Sequence, residues 1–219
     1  MITASFLLGA LIGFGSLSQA SPVSEEAHSR AMSETELFAG TNYTIIDLEW
    51  EVQAFPDGPI LTIGGTVEQI YDTLVKINPN YDVDFGVADV EQYDNAANLE
   101  RRTDFTGSSY FCGGRWPKTR AGDVRKGIEY LYKVSGKPKN GAGPGNCGRV
   151  SCSGSEGIGA GIWWCNDDNK PKELASFGSI ADGALFLQRR CIEYDVMSWI
   201  SGQVFHKTNW NVFIANAHC

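Results

Sequence analysis

All six cysteines of the chain fall in its second half, at Cys112, Cys147, Cys152, Cys165, Cys191 and Cys219. An even set confined to one stretch constrains the fold more than any other feature. Paired cysteines cross-link a small domain and decide how its elements can meet. Six cysteines allow about fifteen pairings, and the residues alone leave that choice open. Zinc fits poorly, because no Cys-x-x-Cys pair occurs and only His206 and His218 accompany the cysteines. No metal and no cofactor is expected.

Disulfides need an oxidising compartment, and the N-terminus reads as an address for one. "SFLLGALIGFG" is an apolar run too short to span a bilayer, and "SLSQA" ends in small residues suited to signal peptidase. A signal peptide over residues 1–20, cut after Ala20, is expected, although its first residues carry no Lys or Arg. No later apolar run is long enough for a membrane helix, so the expected product is secreted and extracellular, with no transmembrane segment.

Charge divides the chain where the cysteines begin. Residues 21–102 hold 4 Lys/Arg against 16 Asp/Glu, a balance of −12, and residues 103–219 hold 14 against 10, a balance of +4. The boundary is Arg101-Arg102 in "ANLERRTDFTG", within a polar stretch that lacks hydrophobic periodicity. A dibasic pair there resembles a substrate of the kexin-type proteases of the secretory pathway, and cleavage after Arg102 would release the last 117 residues. Arg189-Arg190 is a second such pair, but it lies on a predicted helix beside Cys191, where folding protects it. The expected organisation is a signal peptide (1–20), an acidic propeptide (21–102) and a mature cysteine-rich domain (103–219). Opposite net charge favours docking of the propeptide on that domain, as chaperone or mask, within a screening length of about 8 Å.

The propeptide reads as a small β-β-α unit. Ile46, Leu48, Trp50, Val52 and Ala54 alternate with polar residues, as in a half-buried strand. "FPDGP" turns the chain into a second strand, "ILTI". Thr66 and Gln69 have capping-box spacing ahead of Val67, Ile70, Tyr71, Leu74 and Ile77 at helical intervals. Asn42-Tyr43-Thr44 is a glycosylation acceptor. Without a disulfide, so small a unit has marginal stability by itself.

In the second half, Val124, Ile128 and Leu131 mark a helix with Asp123 as candidate N-cap. "CGRVSC" and "GIWWC" read as short strands around the turn "SGSEGIGA". Ser179 and Asp182 have capping-box spacing before Ile180, Ala184 and Leu187, and Trp210, Val212 and Ile214 alternate in a final strand. The predicted class is α+β, a disulfide-stapled antiparallel sheet with two packed helices.

The run "NCGRVSC…IWWC…SIADGALFL…C…SGQVFHKTNWNVFIANAHC" resembles a group of fungal secreted cysteine-rich proteins, whose leaders look like "WEVQAFPDGPILTIGGTVEQIY…INPNYD". More distantly, residues 110–219 are similar to the killer-toxin-like family. The resemblance implies an α/β sandwich, an extracellular effector, virulence or toxin role, no catalytic centre, and the pairs Cys112–Cys191, Cys147–Cys165 and Cys152–Cys219. The partner it implies is an extracellular or cell-surface target; no nucleic acid is expected.

Other chemistry is thinly signalled. A small secreted hydrolase of ribonuclease type would use His206 with Glu193 or Glu129, yet no nucleophile motif accompanies them. Asp167 and Asp168 in "WWCNDDN" lack the rest of a calcium loop. Trp163 and Trp164 must face opposite sides of a strand, so one of them, with Trp116, is a candidate anchor for a sugar or protein. Arg115, Lys118, Arg120, Arg125 and Lys126, followed by Lys133, Lys137 and Lys139, form a candidate basic surface. The alternatives to an effector that acts by binding are therefore that hydrolase and a carbohydrate-binding module.

Overall fold

The computed structural model describes residues 33–87, 103–155, 158–194 and 197–219. The expected signal peptide, Ala20, Arg101 and Arg102 lie outside the described residues. The first half contributes helix α1 (Glu34–Phe38), strand β1 (Thr44–Ile46), the hairpin β2 (Glu49–Val52) and β3 (Leu61–Gly64), helix α2 (Val67–Ile77) and a short turn of helix, α3 (Tyr81–Asp84). The second half contributes β4 (Ser109–Cys112), β5 (Thr119–Arg120), α4 (Ala121–Lys133), β6 (Lys139–Asn140), β7 (Asn146–Ser155), β8 (Ile158–Asn166), β9 (Lys172–Glu173), α5 (Gly178–Cys191), β10 (Trp199–Ile200), β11 (Gly202–His206) and β12 (Trp210–Ala217). The α+β class read from the sequence is the class of the structure.

The main sheet has six strands in the order β1-β7-β8-β12-β11-β4. Each neighbouring pair is antiparallel except β1 and β7, which run parallel with Thr44, Ile45 and Ile46 opposite Asn146, Cys147 and Gly148. Every residue of β12 is buried, so both faces of the sheet are covered. Helices α4 and α5 cover one face, with Val124, Ile128, Leu131, Ile180, Ala184 and Leu187 packed on Trp164, Val212 and Ile214. Gly127 permits that close approach, because a Cβ there would collide with the Ser151 hydroxyl of β7.

The β-β-α unit exists as expected, with a Thr66 N–H to Gln69 Oε1 bond of 3.0 Å at the start of α2. It does not stand alone. Leu48, Trp50, Val52, Ala54, Val67, Ile70, Leu74 and Tyr81 share one apolar cluster with α4, α5 and the sheet. Trp50 stacks on Phe177 with ring centroids 4.4 Å apart, and the Tyr81 hydroxyl accepts from Ser135 N–H at 3.0 Å. The expected single strand over Ile46–Ala54 is broken at Asp47–Leu48, since β1 pairs with β7 and β2 with β3. Two expected caps also differ. Arg120 holds the cap position of α4, and Asp123 lies inside its first turn, bonded to Lys126 at 2.9 Å. Phe177 precedes α5, and Asp182 faces tertiary partners instead of Ser179.

Three disulfides join Cys112 to Cys191, Cys147 to Cys165, and Cys152 to Cys219, and no cysteine is free. The first ties β4 to the end of α5, the second bridges directly opposed residues of β7 and β8, and the third ties β7 to the last residue. In the loop-entropy picture each contributes roughly 3–4.5 kcal/mol, the wider loops more. All three lie within residues 112–219, so none attaches the first half. Among the described residues, no helix is long and apolar enough to cross a membrane.

Candidate functional site

The face of the sheet opposite α4 and α5 carries an aromatic floor. Phe213 stacks on Trp163 at 4.8 Å and 3° between ring planes, and on Trp116 at 4.2 Å and 10°. The first half of the chain packs against these rings. Phe38 meets Phe213 edge-on at 5.7 Å; its position is set by a capping box between Ser33 and Glu36 at the start of α1. Tyr43 lies nearly parallel to Trp116 and Phe213, with centroids 6.2 and 6.3 Å away and planes within 12° and 6°. Its hydroxyl accepts from Gln203 Nε2 at 2.6 Å. The second hydrogen of that amide goes to Asn211 Oδ1 at 2.8 Å, while Gln203 Oε1 accepts from Trp116 Nε1 at 3.0 Å. Arg115 covers Tyr43 from above, its guanidinium 5.6 Å from the ring centre. Burial pushes the phenol pKa of Tyr43 up, and the bond from Gln203 opposes that rise.

Along the sheet edge, β1 continues this contact. Thr44 N–H donates to Gly145 O at 2.8 Å, and Leu48 occupies the space where a Cβ on Gly148 would lie. The Glu68 carboxylate of α2 accepts from Ser151 Oγ at 2.6 Å, Ser153 Oγ at 2.8 Å and Cys152 N–H at 3.2 Å. Among the described residues, two ion pairs cross the same boundary, Glu34 with Arg149 at 3.4 Å and Glu51 with Lys139. The hydrogen bond to Glu51 holds the Lys139 pKa above its ordinary value. A cleft of about 440 Å³ remains between the halves, with Asp47, Glu68 and Gln69 on one side and Arg149 and Cys152 on the other.

Trp163 and Trp164 do face opposite ways, but neither is an exposed anchor: both are fully buried, one beneath Phe38 and its neighbours and one beneath the helices. Trp116 is buried with them. Nor do the candidate basic residues form one surface. Arg115 belongs to the aromatic face, whereas Arg125 and Lys126 stand on α4 behind the sheet, paired with Glu129 and Asp123. Lys118 pairs with Glu193 at 2.6 Å, and Arg120 is half-buried at the start of α4. Of the remaining lysines, Lys133 lies over Tyr71 and Tyr130, and Lys137 pairs with Glu173. Asn42 is exposed.

His206 is half-buried, 5.1 Å from the Phe105 ring, with Nδ1 2.8 Å from Thr208 Oγ1. Burial, then Lys207, holds its pKa below the ordinary value. Glu129 and Glu193 are engaged with Arg125 and Lys118. Asp167 accepts from Asn211 and Asp168 from Lys172. Among the described residues no group of three or more His, Cys, Asp and Glu is placed to hold a metal ion.

The sequence reading passed over Gln203 and Glu68, and gave Tyr43 and Asp182 only local roles, in a glycosylation acceptor and a capping box. Asp182 lies beside the expected cutting site. Its Oδ2 accepts from Thr103 N–H at 2.8 Å and its Oδ1 from Tyr132 OH at 2.6 Å. Phe105 fixes this segment by packing against Phe186 and Trp210. No family model, curated protein or solved structure matches the chain.

Proposed function

We propose that residues 103–219 are the working part of a secreted precursor, an effector- or toxin-like domain that acts by binding on another cell. Residues 21–102 are then a leader that covers its binding face until cleavage after Arg102. One observation carries this reading: the leader spans an aromatic face and a strand edge of the cross-linked half, yet every disulfide lies outside it. A cut between the halves therefore leaves only non-covalent contacts to hold it. The cross-linked half keeps its three staples after such a cut, as a domain exposed to foreign proteases requires. The resemblance to secreted cysteine-rich and killer-toxin-like proteins points the same way.

Intact mass of the secreted product, with and without reductant, tests this directly. The expected species begins at Thr103 and gains six hydrogens on reduction. Labelled uncut protein and cut protein freed of its leader are then compared on intact cells, where only the freed form should bind. An uncut chain as sole product, or equal binding by both forms, overturns the reading.

A further inference from the structure

We propose that the slot filled by Tyr43 is a preformed recognition site for an extended peptide of the partner protein. In it a partner tyrosine replaces Tyr43, and the residues after that tyrosine add in parallel to β7. This rests on the reading that the leader is released.

Four features define the slot. Its inner wall is aromatic, the mutually stacked rings of Trp116 and Phe213, and a ring at the Tyr43 position lies parallel to both. Its inner end is the buried Gln203 amide, whose other hydrogen is committed to Asn211. Removing Tyr43 takes the acceptor from that donor, and a ligand hydroxyl at the same depth restores the bond. Its outer side is Arg115, exposed and placed over the ring position. Directly beyond it, the β7 edge at Asn146–Gly148 pairs with Thr44–Ile46 and needs a new strand when those residues leave.

Gly145 and Gly148 keep this edge open. Gly145 has a φ of +74° and lies against Tyr43, and Gly148 receives Leu48. An aromatic wall alone would suit a sugar ring equally well. The strand edge decides for a peptide, since a saccharide offers no backbone ladder. Leader and target thus compete for one site, with the leader as an internal substitute for the ligand.

The test starts from the full chain, folded, cut after Arg102, and stripped of its leader in mild denaturant. Synthetic TNYTIIDL, residues 41–48, is titrated in with tryptophan fluorescence as readout, beside versions carrying Tyr43→Phe and Tyr43→Ala. Loss of the hydroxyl alone should weaken binding about 3- to 10-fold, and loss of the ring at least 10-fold. Panning a random peptide library should enrich tyrosine followed by β-branched residues.

Equal binding by the Ala peptide overturns the proposal, as does enrichment without tyrosine or preference for soluble oligosaccharides. Unfolding of the stripped domain also overturns it, since the covered face is then core. If cells secrete only uncut chain while the stripped domain binds the Tyr peptide selectively, the processing reading fails and the slot stands.

Discussion

Asp182 shows how a single carboxylate can register a cut in the chain. Hydrolysis of the Arg102–Thr103 bond adds water, placing a carboxylate on Arg102 and an amine on Thr103. That amine is an ammonium below its ordinary pKa of about 7.7–8. Phe105 keeps it where the amide N–H now stands, 2.8 Å from Asp182. A hydrogen bond from a neutral N–H to the carboxylate becomes an ion pair. We expect Asp182→Asn to cost the uncut chain about 1.5–3 kcal/mol and the cut protein about 1 kcal/mol more, read from urea unfolding. The pairing raises the ammonium pKa in the folded state, so its contribution is full below about pH 7.7 and fades as pH rises through the raised value. The two losses should therefore converge by about pH 10. His206 works in the other direction. Its folded pKa is lowered from the ordinary 6.5 by burial and Lys207. The unfolded chain then binds more protons below that value, and stability falls as pH drops through it. Melting curves for His206→Gln should fall less between pH 7 and 5 than those of the unaltered protein.

Among the elements, β1 depends most on contacts distant in sequence. Its three residues have no local partner, and their parallel match at Asn146–Gly148 lies about a hundred residues away with no turn to announce it. Alternation over Ile46–Ala54 correctly assigned Leu48, Trp50, Val52 and Ala54 to a buried side, but could not say that two different sheets would share the segment. The hairpin, α2, α4, α5 and the β7–β8 ribbon were readable because each satisfies its own backbone or pairs with a neighbour in sequence. The caps of α4 and α5 were not, since Asp123 and Asp182 took Lys126, Thr103 and Tyr132 as partners. For Trp163 and Trp164, period two supplied the sides but not the second covering layer, which comes from Phe38 and Tyr43. The notch under Leu48 gives this element a clean test. Gly148 has no left-handed φ to preserve, so Gly148→Ala acts by displacing Leu48. It should destabilise the uncut chain by about 1–3 kcal/mol, with less loss when Leu48→Ala is also present. Glu68→Ala should cost about 1–3 kcal/mol, because it strips Ser151, Cys152 and Ser153 of a shared acceptor. Thermal unfolding of the three variants reads all of these.

For the molecule as a whole, charge and apolar burial make different claims about how its halves adhere. Composition emphasises −12 against +4. The structure shows two ion pairs between the halves among the described residues, Glu34–Arg149 and Glu51–Lys139, and both are substantially exposed. Exposed pairs contribute about 0–1 kcal/mol each and weaken in salt. Burying a side chain such as Trp50, Val52, Ile70 or Leu74 is worth about 1.5–3 kcal/mol. Apolar contact therefore dominates. Leader retention in the cut protein should change less than about tenfold between 0.05 and 1 M NaCl, as gel filtration with fluorescent leader would show. A steep loss in salt would return the argument to charge. The shared core also has a practical corollary. Polypeptide begun at Thr103 must find its shape with a tryptophan-rich surface bare to water, inviting clumping before its cross-links mature. Whoever wants the trimmed product in quantity should make the long form, let it oxidise, and use the protease last.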